Sequence, residues 1–520
     1  MNMKQSDEQK KPDMETILFL VFLNAMAIYY GWRMFALTPW YDELYTYYYF
    51  ISRGPVYAAI HWPLPNNHVG YSVLSGFLNL FGNSAISLRG ISWISSLVSI
   101  GILFAIGKKL FPKGFAMVPV FFFSAMGLVN QLAVQGRGYA LATCLYLIAL
   151  YELIMICQDG VEEKKHYVIF AIAVVWALYT LPSSVYFVIP LCVTGGMLLL
   201  IQKRNRELWQ LVIAAAISAI CTIALYAVIW LAIGSNLLSK TEGSSWYGQG
   251  HVFIILHAPF QALKTGISYM LATPYIQSVE RNGYLTALVG WIRNLLNYYY
   301  GGFDVALIIV IVCGIGLLIC KMISHREIRK SGMLEWFLLL SFLITPAMLF
   351  VQASLPYYRV FSYFGISVAL LITWVLVQLF NMNKKVQIAY AATFLAGGLC
   401  IAILASPGSR AQYSDSDAAI EDILVQMKPE QDTKICVTDC DQEYLLKYMY
   451  NIETVQYDPD GADYALFNKA FVEAAENCGS VESEDAWKYY MSPDALSMDE
   501  IEKTMTVCYE NDSFVLYKRK

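Results

Sequence analysis

Apolar blocks of roughly 18 to 25 residues recur along this 520-residue chain, and they dictate most of what it can fold into. As a helix, one such block crosses the ~30 Å hydrocarbon core of a bilayer. The bilayer offers no hydrogen-bond partners, so only helices or closed barrels can cross it. The blocks are continuous rather than alternating, which selects helices. Charged residues make up only 15% of the chain, against about 25% in an ordinary soluble protein, so the blocks are not the core of a globular domain. The expected fold class is mainly α: a polytopic membrane protein of about eleven transmembrane helices. Spans are expected near 15–38, 85–107, 114–131, 138–157, 166–182, 184–202, 208–233, 304–323, 333–353, 358–381 and 386–405.

The charge is divided. From Ser406 onward there are 10 Lys+Arg against 24 Asp+Glu, and the remainder holds 26 against 16. The acidic tail therefore reads as a separate soluble domain, 406–520, beside a basic membrane domain, 1–405. Nucleic acid is not an expected partner, because the basic residues are scattered among loops rather than gathered on one face. They cluster at Lys4/Lys10/Lys11, Lys108/Lys109/Lys113, Lys164/Lys165, Lys203/Arg204/Arg206, Lys321/Arg326/Arg329/Lys330 and Lys384/Lys385, which fall on alternate loops. By the positive-inside rule those loops are cytoplasmic. A multi-pass plasma-membrane protein is expected, with its N-terminus inside and its tail domain outside. The polar stretch Met1–Asp13 precedes an apolar run too long for a signal peptide, which reads as a retained first helix.

Three segments then lie outside: the loop 39–84, with interfacial helices; the larger loop 234–303, in which 251–272 suits helices lying in the interface; and the tail. In the tail, 434–438 and 514–517 read as strands, and 415–427, 441–450 and 497–504 as helices, giving a small α/β domain. Cys436, Cys440, Cys478 and Cys508 lie there, where disulfides are permitted; four cysteines allow three pairings.

The loop 39–84 holds the densest chemistry. Thr38-Pro39-Trp40-Tyr41-Asp42-Glu43 places two carboxylates where the first span meets water. Trp62-Pro63-Leu64-Pro65-Asn66-Asn67-His68 follows, then Phe81-Gly82-Asn83-Ser84 and Arg89. Gln135-Gly136-Arg137-Gly138-Tyr139 opens the fourth span and Pro356-Tyr357-Tyr358-Arg359 the tenth, both at the outer face. Ionisable groups at the edge of a membrane are costly unless solvated or used. Each has a plainer role as well. Asp42 and Glu43 suit the first turn of a helix over 43–53, where carboxylates favour the dipole. Arg89 suits a helix start, Arg33, Arg137 and Arg359 can snorkel to headgroups, and the tyrosines of 47–49 and 298–300 suit an aromatic belt.

These motifs, in this order and on one face, resemble the GT-C membrane glycosyltransferases, nearest the protein O-mannosyltransferase-like and aminoarabinose-transferase-like branches. The resemblance implies inverting transfer of a sugar from a polyprenyl-phosphate or polyprenyl-diphosphate donor to a protein, lipid or glycan acceptor outside the cell, among membrane lipids. It implies Asp42 as general base with Glu43 assisting. Arg137, Arg359, Arg89, Tyr139 and Tyr358, with Tyr357, would hold the donor phosphate. His68 and Asn67 would face substrate, or Asp42 and His68 a divalent cation such as Mg or Mn; one His and one carboxylate are too few for a closed metal site, which leaves metal dependence open. The family often carries His-Pro-Pro or an acidic residue where this chain has His68-Val69-Gly70, which separates the role of His68 from the family pattern. The rival readings are a transporter or flippase of lipid-linked sugars, and a cell-envelope polymerase or ligase. Transporters usually show internal repeats and polar mid-membrane helices, and neither is evident here.

Overall fold

The computed structural model describes residues 13–61, 67–158, 163–272, 277–278, 283–382, 415–427, 432–452, 454–456, 459–477, 492–493 and 496–520. The expected eleventh span (386–405), Lys384/Lys385, Cys478 and the stretch 62–66 lie outside these residues.

In chain order, α1 (Met14–Ala36) leads into α2 (Tyr41–Tyr49), α3 (Pro55–Ile60) and α4 (Val69–Leu78). Next come α5 (Ser84–Leu110), the short α6 (Met117–Ser124) and α7 (Gly127–Leu132), then α8 (Tyr139–Cys157), α9 (Lys165–Thr180), α10 (Val185–Ile201) and α11 (Asn205–Lys240). The segment that follows holds α12 (His251–His257), α13 (Pro259–Ala272), β1 (Gln277–Ser278) and α14 (Tyr284–Tyr299). α15 (Asp304–Ser324), α16 (Arg326–Ser331), α17 (Met333–Gln352), β2 (Ser354–Leu355) and α18 (Phe364–Met382) complete the membrane part. Among the described residues seven helices are long and apolar enough to cross a membrane, and three more apolar helices are shorter. The chain is a multi-pass membrane protein.

Local chemistry sets the boundaries. Asp13 caps α1, accepting from the Thr16 N–H at 2.9 Å, and Asn83 caps α5, accepting from Ile86 at 3.0 Å. α8 is the most enclosed of the seven, because α5, α9 and α10 pack around it.

Two expectations change. The span expected over 114–131 is broken into α6 and α7. Asn130 explains the break: its side-chain amide donates to the carbonyls of Ser124 (2.5 Å) and Met126 (3.1 Å), which replaces the helical bonds lost there. Arg33 seals the same place, donating to the Asn130 carbonyl at 2.6 Å. It is fully buried, so it does not snorkel to headgroups.

The second change is α11. Its 36 residues rise about 54 Å, well beyond a ~30 Å core. The helix passes the expected end at 233 because α13 packs against its far half. The crossing is backbone on backbone: a Cβ on Gly234 would lie 1.7 Å from the Ala262 carbonyl oxygen, and one on Gly266 2.1 Å from that of Trp230.

The C-terminal part adds α19 (Asp415–Met427), β3 (Ile435–Val437), α20 (Cys440–Tyr450), β4 (Val455–Gln456), β5 (Tyr464–Asn468), α21 (Lys469–Glu476), α22 (Met498–Thr504), β6 (Met505–Glu510) and β7 (Phe514–Arg519). The sheet runs β4-β3-β5-β7-β6, parallel across β4-β3-β5 and antiparallel across β5-β7-β6. β3 alternates sides: Ile435 and Val437 face one core and Cys436 the other. Cys440 lies on the Ile435 side, so Cys436 and Cys440 sit in separate cores.

Gly234→Ala should force α11 and α13 apart. We expect the unfolding midpoint in detergent to fall, with a cost of about 1–3 kcal/mol. Gly290→Ala, where nothing lies within 4 Å of the added carbon, serves as the unaffected comparison.

Candidate functional site

The motif residues converge at one end of the helix bundle: the C-terminal ends of α1 and α9 and the N-terminal ends of α5, α8 and α18. The basic loops at Lys108, Lys164, Lys203 and Lys321 lie at the other ends of these and neighbouring helices.

α2 is the short platform of the site. Glu43 closes its first turn, accepting from the Trp40 N–H at 3.0 Å. The same carboxylate is buried against Arg89, with Nε 2.8 Å from Oε1 and Nη2 3.0 Å from Oε2. Two parallel bonds of this kind fix direction as well as distance. Oε1 also accepts from the Gly136 N–H at 2.6 Å. Arg89 donates further to the carbonyls of Met34 (3.1 Å), Leu37 (2.6 Å) and Thr38 (3.3 Å), at the end of α1. Glu43 and Arg89 thus tie α1, α2, α5 and the loop 133–138 into one knot.

That loop crosses the bundle as irregular backbone, so its polar groups need partners. Ser92 donates to the Gln135 carbonyl at 2.5 Å and Ser96 to that of Ala133 at 3.0 Å. Glycine is required at 136 and 138. A Cβ at 136 would lie 2.5 Å from the Leu88 side chain, and one at 138 would lie 2.6 Å from Thr180 and 3.0 Å from His68.

Arg137 is buried behind α2. Its Nη1 donates to Thr46 Oγ1 at 2.6 Å and to the Asp42 carbonyl at 3.2 Å, and its Nη2 lies 3.3 Å from His68 Nε2. His68 Nδ1 accepts from the Gly138 N–H at 2.8 Å. Both ring nitrogens therefore face N–H donors. Burial first, then the charges of Arg137 and Arg359, hold this imidazole well below its ordinary 6.5, in the neutral form. Tyr139 packs edge-on to the ring, 4.9 Å away. Asn67 closes the segment behind, donating to the carbonyls of Ala58 and His61 (both 2.9 Å) and accepting from Ser72 at 2.7 Å.

The Asp42 carboxylate projects on the more open side. Its Oδ2 lies 3.2 Å from Arg359 Nη2, with the two side chains 15% and 24% exposed. The Arg359 guanidinium sits 4.8 Å from the ring centres of both Trp40 and Tyr357 and 5.9 Å from Tyr139. α14 braces its turn: Trp291 donates to the Pro356 carbonyl at 2.8 Å, Asn294 donates to the Tyr358 hydroxyl at 3.2 Å, and Trp291 and Tyr298 pack on the Tyr358 ring. β1 pairs with β2 just before that turn.

The expected residues thus separate by environment. Asp42, Arg359 and Tyr357 meet at the open side, with the buried Tyr139 ring against Arg359. Arg137 and His68 lie directly behind them. Glu43 and Arg89 are deeper and bond one another, and Tyr358 turns to α14. Among the described residues no three His, Cys, Asp or Glu groups gather as a metal site. With Arg359 on Asp42 and N–H donors at both nitrogens of His68, these residues do not fit a shared cation.

The tyrosines of 47–49 are not an aromatic belt. Tyr444 of α20 stacks against Tyr48 (5.1 Å) and Tyr41 (6.5 Å) and meets Tyr49 edge-on, while Tyr448 meets Tyr47. Leu44, Tyr45 and Phe50 share one buried core with Ile435, Leu445 and Leu516. Sequence reasoning missed this face of α2. Its signal was the helical spacing of Tyr41, Leu44, Tyr45 and Tyr48, an apolar stripe on the same short helix as Asp42.

Two outcomes test the geometry. Glu43→Gln leaves Arg89 buried without its counter-charge, and we expect a loss of about 3–5 kcal/mol, read as a lower unfolding midpoint. For His68, the folded state stays neutral where the unfolded imidazole titrates at 6.5. The stability this site contributes is full above that pH and is lost as pH falls from it toward the folded value, at up to about 1.4 kcal/mol per unit. His68→Asn should flatten that part of the stability–pH curve.

Comparison with known proteins finds a family match over part of the sequence. Residues 68–231 match the family described as dolichyl-phosphate-mannose-protein mannosyltransferase, a segment that includes His68, Arg89 and Arg137. No curated protein matches the chain. Among solved structures, an oligosaccharyltransferase of Archaeoglobus fulgidus, in complex with Zn and sulfate, aligns at 14% identity with a TM-score of 0.49, over 88% of this chain and 68% of its own. ArnT from Cupriavidus metallidurans bound to undecaprenyl phosphate aligns at 12% identity with a TM-score of 0.40, over 96% and 97%. Over that segment, about a third of its length, the chain is similar to the dolichyl-phosphate-mannose-protein mannosyltransferase family.

Proposed function

We propose that this protein moves a sugar from a polyprenyl-phosphate carrier to an acceptor hydroxyl at the outer face of the plasma membrane. The observation that carries the reading is the pairing of a half-buried carboxylate, Asp42, with an arginine braced at the same membrane edge, Arg359. The match of 68–231 to a family named for a lipid-phosphate-linked donor supports the donor class. The basic loops at the opposite helix ends support an extracytoplasmic site.

Asp42 accepts the proton of the acceptor hydroxyl as that oxygen attacks C1 of the sugar. The C1–O bond to phosphate breaks on the opposite face, so the configuration inverts. The bonding pair leaves with the phosphate, which departs on its lipid as a phosphomonoester. Its charge grows as the bond breaks, so the step needs a fixed cation more than a proton donor. Arg359 suits this: a guanidinium presents forked donors to phosphate oxygens, and Trp40 and Tyr357 hold it near the surface. Arg137 acts behind it by holding the Asp42 carbonyl and Thr46. Glu43 and Arg89 position α2. Tyr139 lies between Arg359 and His68, where its ring can face the sugar.

With purified protein, a polyprenyl-phosphate sugar and a hydroxyl acceptor, Asp42→Asn should lower kcat about 100- to 10,000-fold without weakening donor-lipid binding. Arg359→Ala should weaken that binding. Full transfer by Asp42→Asn removes Asp42 as base. Movement of intact lipid-linked sugar between leaflets, with no bond cleavage, would replace this reading with a transporter.

A further inference from the structure

We propose that the trough between α9 and α11 binds an anionic phospholipid, with its headgroup at the membrane face opposite Asp42. The trough has a volume of about 540 Å³ and is apolar along its length, with Val168, Ile172 and Trp176 on one wall and Ile213 and Ile217 on the other. From Lys164 to Trp176 it runs about 18 Å at the helical rise. That is close to half the ~30 Å core, the depth reached by one acyl chain anchored at one face.

Its polar end is built for a phosphate. Lys164, Tyr167 and Gln210 line it there. Tyr167 is only 8% exposed, and its hydroxyl is buried with no hydrogen-bond partner. A buried hydroxyl left in this way is a donor that a headgroup oxygen would satisfy. The neighbouring charges are matched in pairs: Lys165 with Glu163, and Arg204 with Glu207 at 3.3 Å. The Lys164 ammonium has no such partner among the described residues. Among the described residues, the trough thus couples one cation without an ion pair and one unpartnered donor to a chain-length apolar channel. A membrane-facing lysine near headgroups favours anionic over zwitterionic lipid. The length points to a phospholipid of the adjoining leaflet rather than to a polyprenyl chain, which would extend past Trp176.

This inference stands apart from the proposed activity, and its test does not use it. Full-length protein is placed in nanodiscs of equal phosphatidylglycerol and phosphatidylcholine, then released, and its retained lipid is identified by native mass spectrometry. We expect retained phosphatidylglycerol at about one per chain. Lys164→Ala should lower its retention about tenfold, the loss of one charge-assisted bond. Ile172→Trp, which fills the trough from a lipid-facing position, should lower it as well. The lipid-free unfolding midpoint of each variant serves as the check on folding. Equal retention of the two lipids, or unchanged retention in either variant, overturns the proposal as bulk membrane contact. Displacement of phosphatidylglycerol by undecaprenyl phosphate at equal concentration overturns it in favour of the carrier lipid.

Discussion

The buried pair of Glu43 and Arg89 is the constraint on which the rest of the site depends. Two opposite charges out of water are tolerated only when their remaining hydrogen-bonding capacity is met. Here Trp40 and Gly136 complete the carboxylate, and three carbonyls at the end of α1 engage the guanidinium. Satisfying one pair therefore fixes four segments together. The consequence reaches Asp42, the next residue along α2. Its side chain can stay near the surface because its neighbour is immobilised below.

The same economy governs the irregular backbone. The break between α6 and α7 and the loop 133–138 both lie among packed helices. Each is held by short polar side chains from a neighbour or from the break itself: Asn130 in the first case, Ser92 and Ser96 in the second. Arg33 and Arg137 then bond from behind. Three arginines of the helix ends, Arg33, Arg89 and Arg137, are thus internal fasteners. Arg359 differs because aromatic faces rather than carboxylates and carbonyls surround much of it.

Much of the fold was legible because bilayer physics writes it in long, one-sided patterns. The spans at α1, α5, α8, α15 and α17 fall within a few residues of their expected ends. The misreadings share a cause. Hydropathy registers apolar content but not where a helix breaks, so Asn130 inside 114–131 carried no weight. Nor does it register where a helix outruns the membrane, so α11 was cut short. In the site, residue type and order brought Asp42, Arg137, His68 and Arg359 to one face. They could not distinguish a buried arginine from an exposed one, since both open a helix beside glycine or aromatic residues. The partner of the Tyr47–Tyr49 face lies about 400 positions away in the chain, beyond any local pattern.

That distance has a consequence in time. α2 emerges early in synthesis with an aromatic face that belongs against α20. Until residues 435–516 have been made and folded, that face has nothing to pack on. The helix that carries Asp42 is then held by its inner edge alone, through the bonds of Glu43 to Arg89 and of Thr46 to Arg137. The site therefore matures late, after the partner core of α2 has been made. A truncated product would keep its membrane helices yet hold Asp42 on a half-supported strut, which separates insertion into the membrane from competence once there.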